Sequence, residues 1–343
     1  MFDFHLLHKL TSASAPSGNE SRVRNIIVSR LNELGIHASV SPDGSVAAVI
    51  KSTSQTAGKL MLQAHTDEVG FMVKSHTDGG FLKLSPLGIR DSRLLTGRRV
   101  TVLGKDDPLS GFIGAVPIHL SKNGKKIPAY SDLYVDIGAE SKEEAEAIAP
   151  LGSFGCFEAN FETFGSNDRF IKSKALSGRT ACAVLLETAR YFTENSITLP
   201  YDLYFAFSPR GKVSLSGGSA IFSRIHPDAV MSLSAFEIPR DNSISSVSGV
   251  SIPLTEEKYA FDSSLTSQLR NAFSEAGQLH ETSPVPAAVE CEYDIIKLKS
   301  AGARVSTLKL PVKNRNTASE LMSCDVISEI CETLSLILPH IKI

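Results

Sequence analysis

Residues 61–72 read MLQAHTDEVGFM, an apolar run broken by His65, Asp67 and Glu68. A strand that ends on an imidazole and carboxylates can offer ligands to a divalent cation, or a base to a water molecule. A hydrolytic zinc centre needs further N or O ligands converging from other segments, and a position kept open for water. Plainer readings compete. His65 can be a strand-end histidine bonded to Asp67, and Glu68 a solvated carboxylate or an ion-pair partner.

Nucleophilic chemistry finds less support. No Gly-x-Ser-x-Gly elbow occurs. Cys182 falls on the apolar face of an expected helix, which suits packing rather than a thiolate. Ser214 and Ser216 lie in a glycine- and serine-rich turn with no adjacent base. Ser208-Pro-Arg-Gly-Lys212 resembles a phosphate loop only superficially, because the flanking glycines and the Ser/Thr of that motif are missing. The cysteines (Cys156, Cys182, Cys291, Cys324 and Cys331) are odd in number and form no CxxC pair. Neither a disulfide framework nor a zinc knuckle is expected, and free thiols point to a reducing, cytoplasmic setting.

The chain has 343 residues, 42% of them hydrophobic, and a formal net charge of −2. That suits one large domain or two moderate ones with real cores. Charges of both signs are interspersed, so a nucleic-acid partner is not expected. Tryptophan is absent, which argues against a sugar-stacking platform. No stretch approaches the ~20 apolar residues of a membrane span. The opening MFDFHLLHKLTSASAPSG is too polar for a signal peptide.

The elements that must position these residues follow from periodicity. Helices are expected over 2–12, with Phe4, Leu7 and Leu10 on one face, and over 20–35, after the turn chemistry of residues 14–20. Strands follow near 38–42, 45–50 and 59–64, the last ending at His65. From 71 to 163 the chain breaks into short strands split by Gly, Pro and Asp, the spacing of a β-rich insertion. Within it Ser141 N-caps a short helix. The α/β pattern resumes with a helix over 179–195, which turns Cys182, Val184, Leu185, Leu186, Ala189 and Phe192 inward. Strands over 201–207, 229–233 and 304–310 alternate with helices from 217, over 264–276 and over 323–338.

This layout resembles the dinuclear-zinc aminopeptidases of the glutamyl and deblocking type, including cellulase-M-like proteins and tetrahedral peptidases. The segments that carry the resemblance are QAHTDEVGFMV at 63–73, GFIGAVPIH at 111–119, DLYVDIGAESKEEAE at 132–146, KALSGRTACAVLLE at 174–187 and RIHPDAVMSLS at 224–234. It implies a three-layer α/β/α sandwich, residues 1–70 and 164–343, with an inserted PDZ-like β-rich domain, residues 71–163, that mediates homo-oligomer contacts. It also implies two metal ions clamping a water, a role that needs a bridging carboxylate and further anionic ligands to offset cation repulsion.

Only the His-x-Asp of that family pattern survives, as His65 and Asp67. The bridging aspartate of Ala-x-Asp-Asp-Arg falls on Ser177. Where the family has a Glu-Glu pair, FAFSPRGKVSLSGG places Gly211 at the general base and Lys212 at the second metal ligand. Ser234 replaces a later aspartate. In LPVKNRNTASE, anchored on Pro311 and Glu320, Asn316 replaces the final histidine. Glycine cannot take a proton, an ammonium is no ligand, and neutral hydroxyls cannot bridge two dications. The catalytic positions Asp67 and Gly211 are therefore expected to be vestigial, and so are the metal positions His65, Ser177, Lys212, Ser234 and Asn316. A site rebuilt from Asp67, Glu68, Glu237 and Asp294 (with Glu292 nearby) is the alternative. Lys212 is expected to fill the metal's place and pair with Asp67, since a buried carboxylate needs a counter-charge.

The expected function is thus that of a pseudoenzyme without a cofactor, either a scaffold or a peptide-binding protein that can pair with an active paralogue. The alternative is an active aminopeptidase using zinc or cobalt.

Overall fold

The computed structural model describes residues 2–54, 56–89, 91–114, 127–158, 160–213, 217–239, 242, 244, 249–256, 259–279, 302 and 304–343. Ser214, Ser216, Cys291, Glu292, Asp294 and most of GFIGAVPIH after Gly114 lie outside them. The helices are α1 (Phe4–Ser12), α2 (Ser21–Glu33), α3 (Lys142–Ile148), α4 (Leu176–Glu194), α5 (Gly217–Ile225), α6 (Ser263–Glu275) and α7 (Cys324–Ile337). The first half of the chain supplies strands β1 (Ser39–Val40), β2 (Val46–Ile50), β3 (Lys59–His65), β4 (Gly70–His76), β5 (Leu82–Leu87), β6 (Arg99–Leu103), β7 (Pro108–Gly114), β8 (Tyr134–Asp136) and β9 (Phe154–Phe157). The second half supplies β10 (Glu162–Phe164), β11 (Phe170–Ser173), β12 (Asp202–Ser208), β13 (Ala229–Glu237), β14 (Thr255–Glu256), β15 (Tyr259–Ala260), β16 (Arg304–Val312) and β17 (Glu320–Ser323).

A six-stranded sheet in the order β1-β2-β12-β3-β13-β16 forms the centre. Its strands β12, β3, β13 and β16 run parallel, and β2 lies antiparallel to β12. Parallel strands are covered on both faces and read as continuous apolar runs. Accordingly, Leu60, Leu62, Leu203, Phe205 and Met231 pack against α1, α2, α4 and α7, whereas Met61, Ala206 and Val230 pack against Ile221, Phe222 and Ile225 of α5. Helices thus lie on both faces of the sheet. Helix α4 is buried nearly all round, including each inward residue expected from its spacing. It begins at Leu176, three residues before the expected start, so Ser177 enters its first turn. Strand β13 continues to Glu237, past the expected end at Leu233.

Strands β4-β5-β8-β7-β6-β9 close into a barrel around Phe71, Val73, Leu84, Val100, Val102, Val135 and Phe157. Gly155 of β9 must be glycine, because a Cβ there would stand 2.2 Å from the Phe71 ring. Ser141 caps α3 as expected, accepting from the Glu144 N–H at 3.2 Å. Helix α2 has no side-chain cap. Glu20 is its N-cap residue but makes no capping bond, because its carboxylate is engaged elsewhere. Among the described residues, no helix is long and apolar enough to cross a membrane.

Candidate site at the carboxyl ends of the parallel strands

Ligands of open parallel sheets collect beyond the carboxyl ends of the strands. His65 ends β3 level with Ser208 of β12. On the other side Ser232 pairs with Gln63, so Ser234 comes level with His65. The fold therefore brings the expected site positions to one edge: His65 and Asp67 at and after the end of β3, Gly211 and Lys212 after β12, Ser234 on β13, Asn316 after β16, and Ser177 at the start of α4.

His65 Nδ1 lies 3.2 Å from Asp67 Oδ1. Asp67 is 1% exposed, and both its oxygens also accept main-chain N–H bonds, from Gly211 at 2.8 Å and from Lys212 at 2.7 Å. Burial pushes its carboxyl up. The hydrogen bond and charge of His65, the positive charge of Lys212 and the Lys212 N–H outweigh burial and hold it below the ordinary value. The imidazole is boxed in. A Cβ on Gly178 would stand 2.4 Å from His65 Cε1 and 3.0 Å from Nε2, and a Cβ on Gly211 would stand 2.8 Å from His65 Cβ. Glycine at both positions lets the ring occupy this space.

Ser177 and Asn316 meet at Glu320, which is 1% exposed. Pairing of Ser173 with Glu320 in the small sheet β10-β11-β17 sets this residue beside α4. The Ser177 N–H (2.6 Å), the Ser177 hydroxyl (3.1 Å) and the Asn316 N–H (2.6 Å) all donate to its carboxylate. Burial nonetheless raises the Glu320 carboxyl above the ordinary value, against the pull of those N–H groups and of the Lys212 charge. Glu237, at the end of β13, accepts from the N–H groups of Asn314 at 2.8 Å and Arg315 at 2.7 Å. Several turning residues here are left-handed although none is glycine: Ala175, Arg210, Asn314 and Asn316 have φ between 58° and 61°. Such backbone is kept only where its surroundings over-determine it.

Glu68 is not solvated. It is 2% exposed and pairs with Lys174, itself 1% exposed, at 2.7 and 2.8 Å. It accepts from the Ala15 N–H at 2.8 Å, and Arg179 Nη2 lies 3.5 Å away. Arg179 in turn donates to the carbonyls of Leu10 and Ala13. The cluster joins the N-terminal segment, α4 and the barrel, since Lys174 also reaches Cys156 Sγ at 3.5 Å.

Sequence reasoning gave Lys174 no role and used Glu320 only as an alignment anchor. Their partners are remote in the chain and no motif signals them. Cys182 packs in the core as expected, its thiol pushed up to about 12 by burial.

The fit of two metal ions can be tested on these contacts. Asp67, Glu68, Glu237 and Glu320 each have both oxygens engaged by protein donors. Ser234 Oγ is buried with no hydrogen-bond partner among the described residues, and a lone hydroxyl does not bridge dications. Between Asp67, Lys174, Ser177, Lys212 and Glu320 remains a cavity of about 10 Å³, at the lower limit for one water molecule. The residues present do not fit a dinuclear centre. Of the alternative set, Glu68 is held by Lys174 and Glu237 by the loop after β16, while Asp294 lies outside the described residues. Among the described residues, no three His, Cys, Asp or Glu side chains are grouped to hold a metal.

Comparisons with known proteins agree on ancestry. The M42 glutamyl aminopeptidase family pattern matches residues 44–332. A protein of Acetivibrio thermocellus named as an aminopeptidase is 32% identical over 67% of this chain, which spans 65% of that relative's length. The lysyl aminopeptidase of Pyrococcus furiosus is 24% identical over 100% of this chain and 98% of its own. Among solved structures, the TET aminopeptidase of Thaumarchaeota archaeon SCGC AB-539-E09 superposes with a TM-score of 0.90 at 23% identity, covering 99% of this chain and 97% of that one. The TET1 peptidase of Pyrococcus horikoshii, described as assembling into a tetrahedron or a large octahedral shell, gives 0.84 at 22% identity over 98% and 99%.

Proposed function

From a chain that belongs to the M42 glutamyl aminopeptidase family but whose cleft acids are bonded to its own donors, we propose a non-catalytic member: a pseudoenzyme that acts as a scaffold or a peptide-binding protein. The observation that supports this reading is the pair of amides on Asp67, donated by Gly211 and Lys212 at 2.8 and 2.7 Å. In the family resemblance those two positions are a general base and a metal ligand. Here both donate main-chain N–H groups to the carboxylate, and a charge beside it is the ammonium of Lys212.

The domain division is part of the same reading. Residues 1–70 and 164–343 make the peptidase-like body, and residues 71–163 make a PDZ-like module, represented by the barrel, through which copies associate. The shells described for the Pyrococcus horikoshii relative support a homo-oligomer. A mixed assembly with an active paralogue is equally compatible. Free cysteines suit the cytoplasm.

The test is metal analysis of protein prepared without chelator, followed by an assay on chromogenic aminoacyl anilides after adding Zn²⁺ or Co²⁺. Less than stoichiometric metal and no anilide release are expected. Two metals per chain with robust turnover would restore the active-aminopeptidase reading. Peptide binding is expected to raise the unfolding temperature without cleavage.

A further inference from the structure

The loops after β12 and β16 are held in the same way. After β12, three successive N–H groups are taken by two carboxylates: Arg210 donates to Glu20 Oε1 at 2.9 Å, and Gly211 and Lys212 donate to the two oxygens of Asp67. After β16, Asn314 and Arg315 donate to the two oxygens of Glu237, and Asn316 donates to Glu320. In each loop one carboxylate bridges a consecutive pair of amides and a second takes the amide beside them. Each loop also carries left-handed residues, Arg210 in one and Asn314 and Asn316 in the other. Left-handed turns aim successive N–H groups into a concave anion-binding nest. Here the anions are supplied from within the chain.

We propose that Glu20 and Glu237 are positioning residues which, with Asp67 and Glu320, clamp the two cleft-lining loops in place without any metal. Their positions explain features that otherwise lack a cause. Glu20 is 5% exposed yet does not cap the helix it begins, because its Oε1 accepts from Gly18 and Arg210 instead. Glu237 extends β13 beyond the sheet pairing with β3 to reach the loop after β16. Three further properties follow from charge-assisted bonds of this length, which are about twice as strong as neutral ones. The cleft rim is ordered in the free protein. Its order does not depend on chelator. Of its carboxylates, those of Asp67, Glu237 and Glu320 have both oxygens engaged by the chain's own donors.

The inference rests on the non-catalytic reading only for its statement about metals. The clamps themselves are tested by amide hydrogen exchange on the full chain. Glu237→Ala is expected to speed exchange at Asn314 and Arg315 by about tenfold or more, while the Lys313 amide, bonded to the Leu321 carbonyl, keeps its rate. Glu237→Gln retains one carbonyl oxygen and is expected to keep slow exchange at one of the two amides. Glu20→Ala is expected to speed the Arg210 amide and to leave Thr66, bonded to the Ser208 carbonyl, unchanged. Rates at Asn314, Arg315 and Arg210 that stay within about twofold of wild type in both alanine variants would overturn the clamps, whatever the metal content. If added Zn²⁺ slows these amides in wild type while the variants behave as expected, the clamps stand and the non-catalytic reading falls.

Discussion

The Glu68 cluster and the loop clamps hold buried carboxylates by different means. Glu68 is neutralised by side-chain cations, Lys174 at 2.7 Å and Arg179 at 3.5 Å. Asp67, one residue earlier, and Glu320 are held mostly by main-chain and hydroxyl donors. The first arrangement joins three parts of the chain, and breaking it strands a charge in the interior. The second fixes loops one amide at a time and yields gradually. Neighbouring acids in one motif have thus taken on unrelated duties.

The largest effect that separates the regions is expected at Lys174. Lys174→Met leaves Glu68 buried beside a more distant guanidinium, and should cost about 3–5 kcal/mol in denaturant unfolding. In the double variant with Glu68→Gln, the cost should fall well short of the sum of the single costs. Additive costs would mean that the pair is not coupled. Asp67→Asn keeps one acceptor oxygen and loses the charge, so a cost of about 1.5–3 kcal/mol is expected. A cost equal to that of Lys174→Met would erase the distinction drawn above.

Acid and base limbs of the stability curve sharpen the comparison further. Asp67 is held below its ordinary 3.8. The folded state then binds fewer protons than the unfolded one, so its contribution is present above pH 3.8 and is lost as pH falls through the folded value. Glu320 is raised above 4.5. The folded state then binds more protons, so stability declines as pH rises from 4.5 through the folded value. Asp67→Asn should flatten the acid limb and Glu320→Gln the decline above pH 4.5, both read as unfolding free energy against pH.

Smaller effects follow at the periphery. Lys212→Met removes a charge that favours both carboxylates, and about 1 kcal/mol is expected from chemical unfolding. An unchanged stability would remove the counter-charge role. Lys51→Ala breaks the exposed pair with Asp202 at 2.7 Å and should cost at most about 1 kcal/mol.

Much of the fold was legible because burial imposes a period on sequence. The apolar runs of β3, β12 and β13 announced strands alternating with helices, and Ser141 announced α3. The edge of that sheet was legible too, since His65 follows an apolar run directly. The bonding within the site was not. Glu20 lies in a turn-rich stretch and read as a helix entry, whereas its carboxylate serves a loop 190 residues away. Lys174 and Glu68 are 106 residues apart. Main-chain donors such as those of Gly211 and Asn314 leave no mark in residue type, so a clamp made of amides cannot be read from a sequence. Helix α4 began early for a related reason: Ala175 adopts a left-handed turn that alanine does not advertise.

Thermal unfolding of the full chain, with excess chelator and then with saturating Zn²⁺, tests the central claim most directly. Ligands that bind only the folded state raise its stability by about 2.7 kcal/mol at a hundred times their dissociation constant. The same midpoint is expected in both conditions, because protein donors already engage Asp67, Glu68, Glu237 and Glu320. A midpoint that rises with Zn²⁺ in a saturable manner, with about two ions bound per chain, would contradict it.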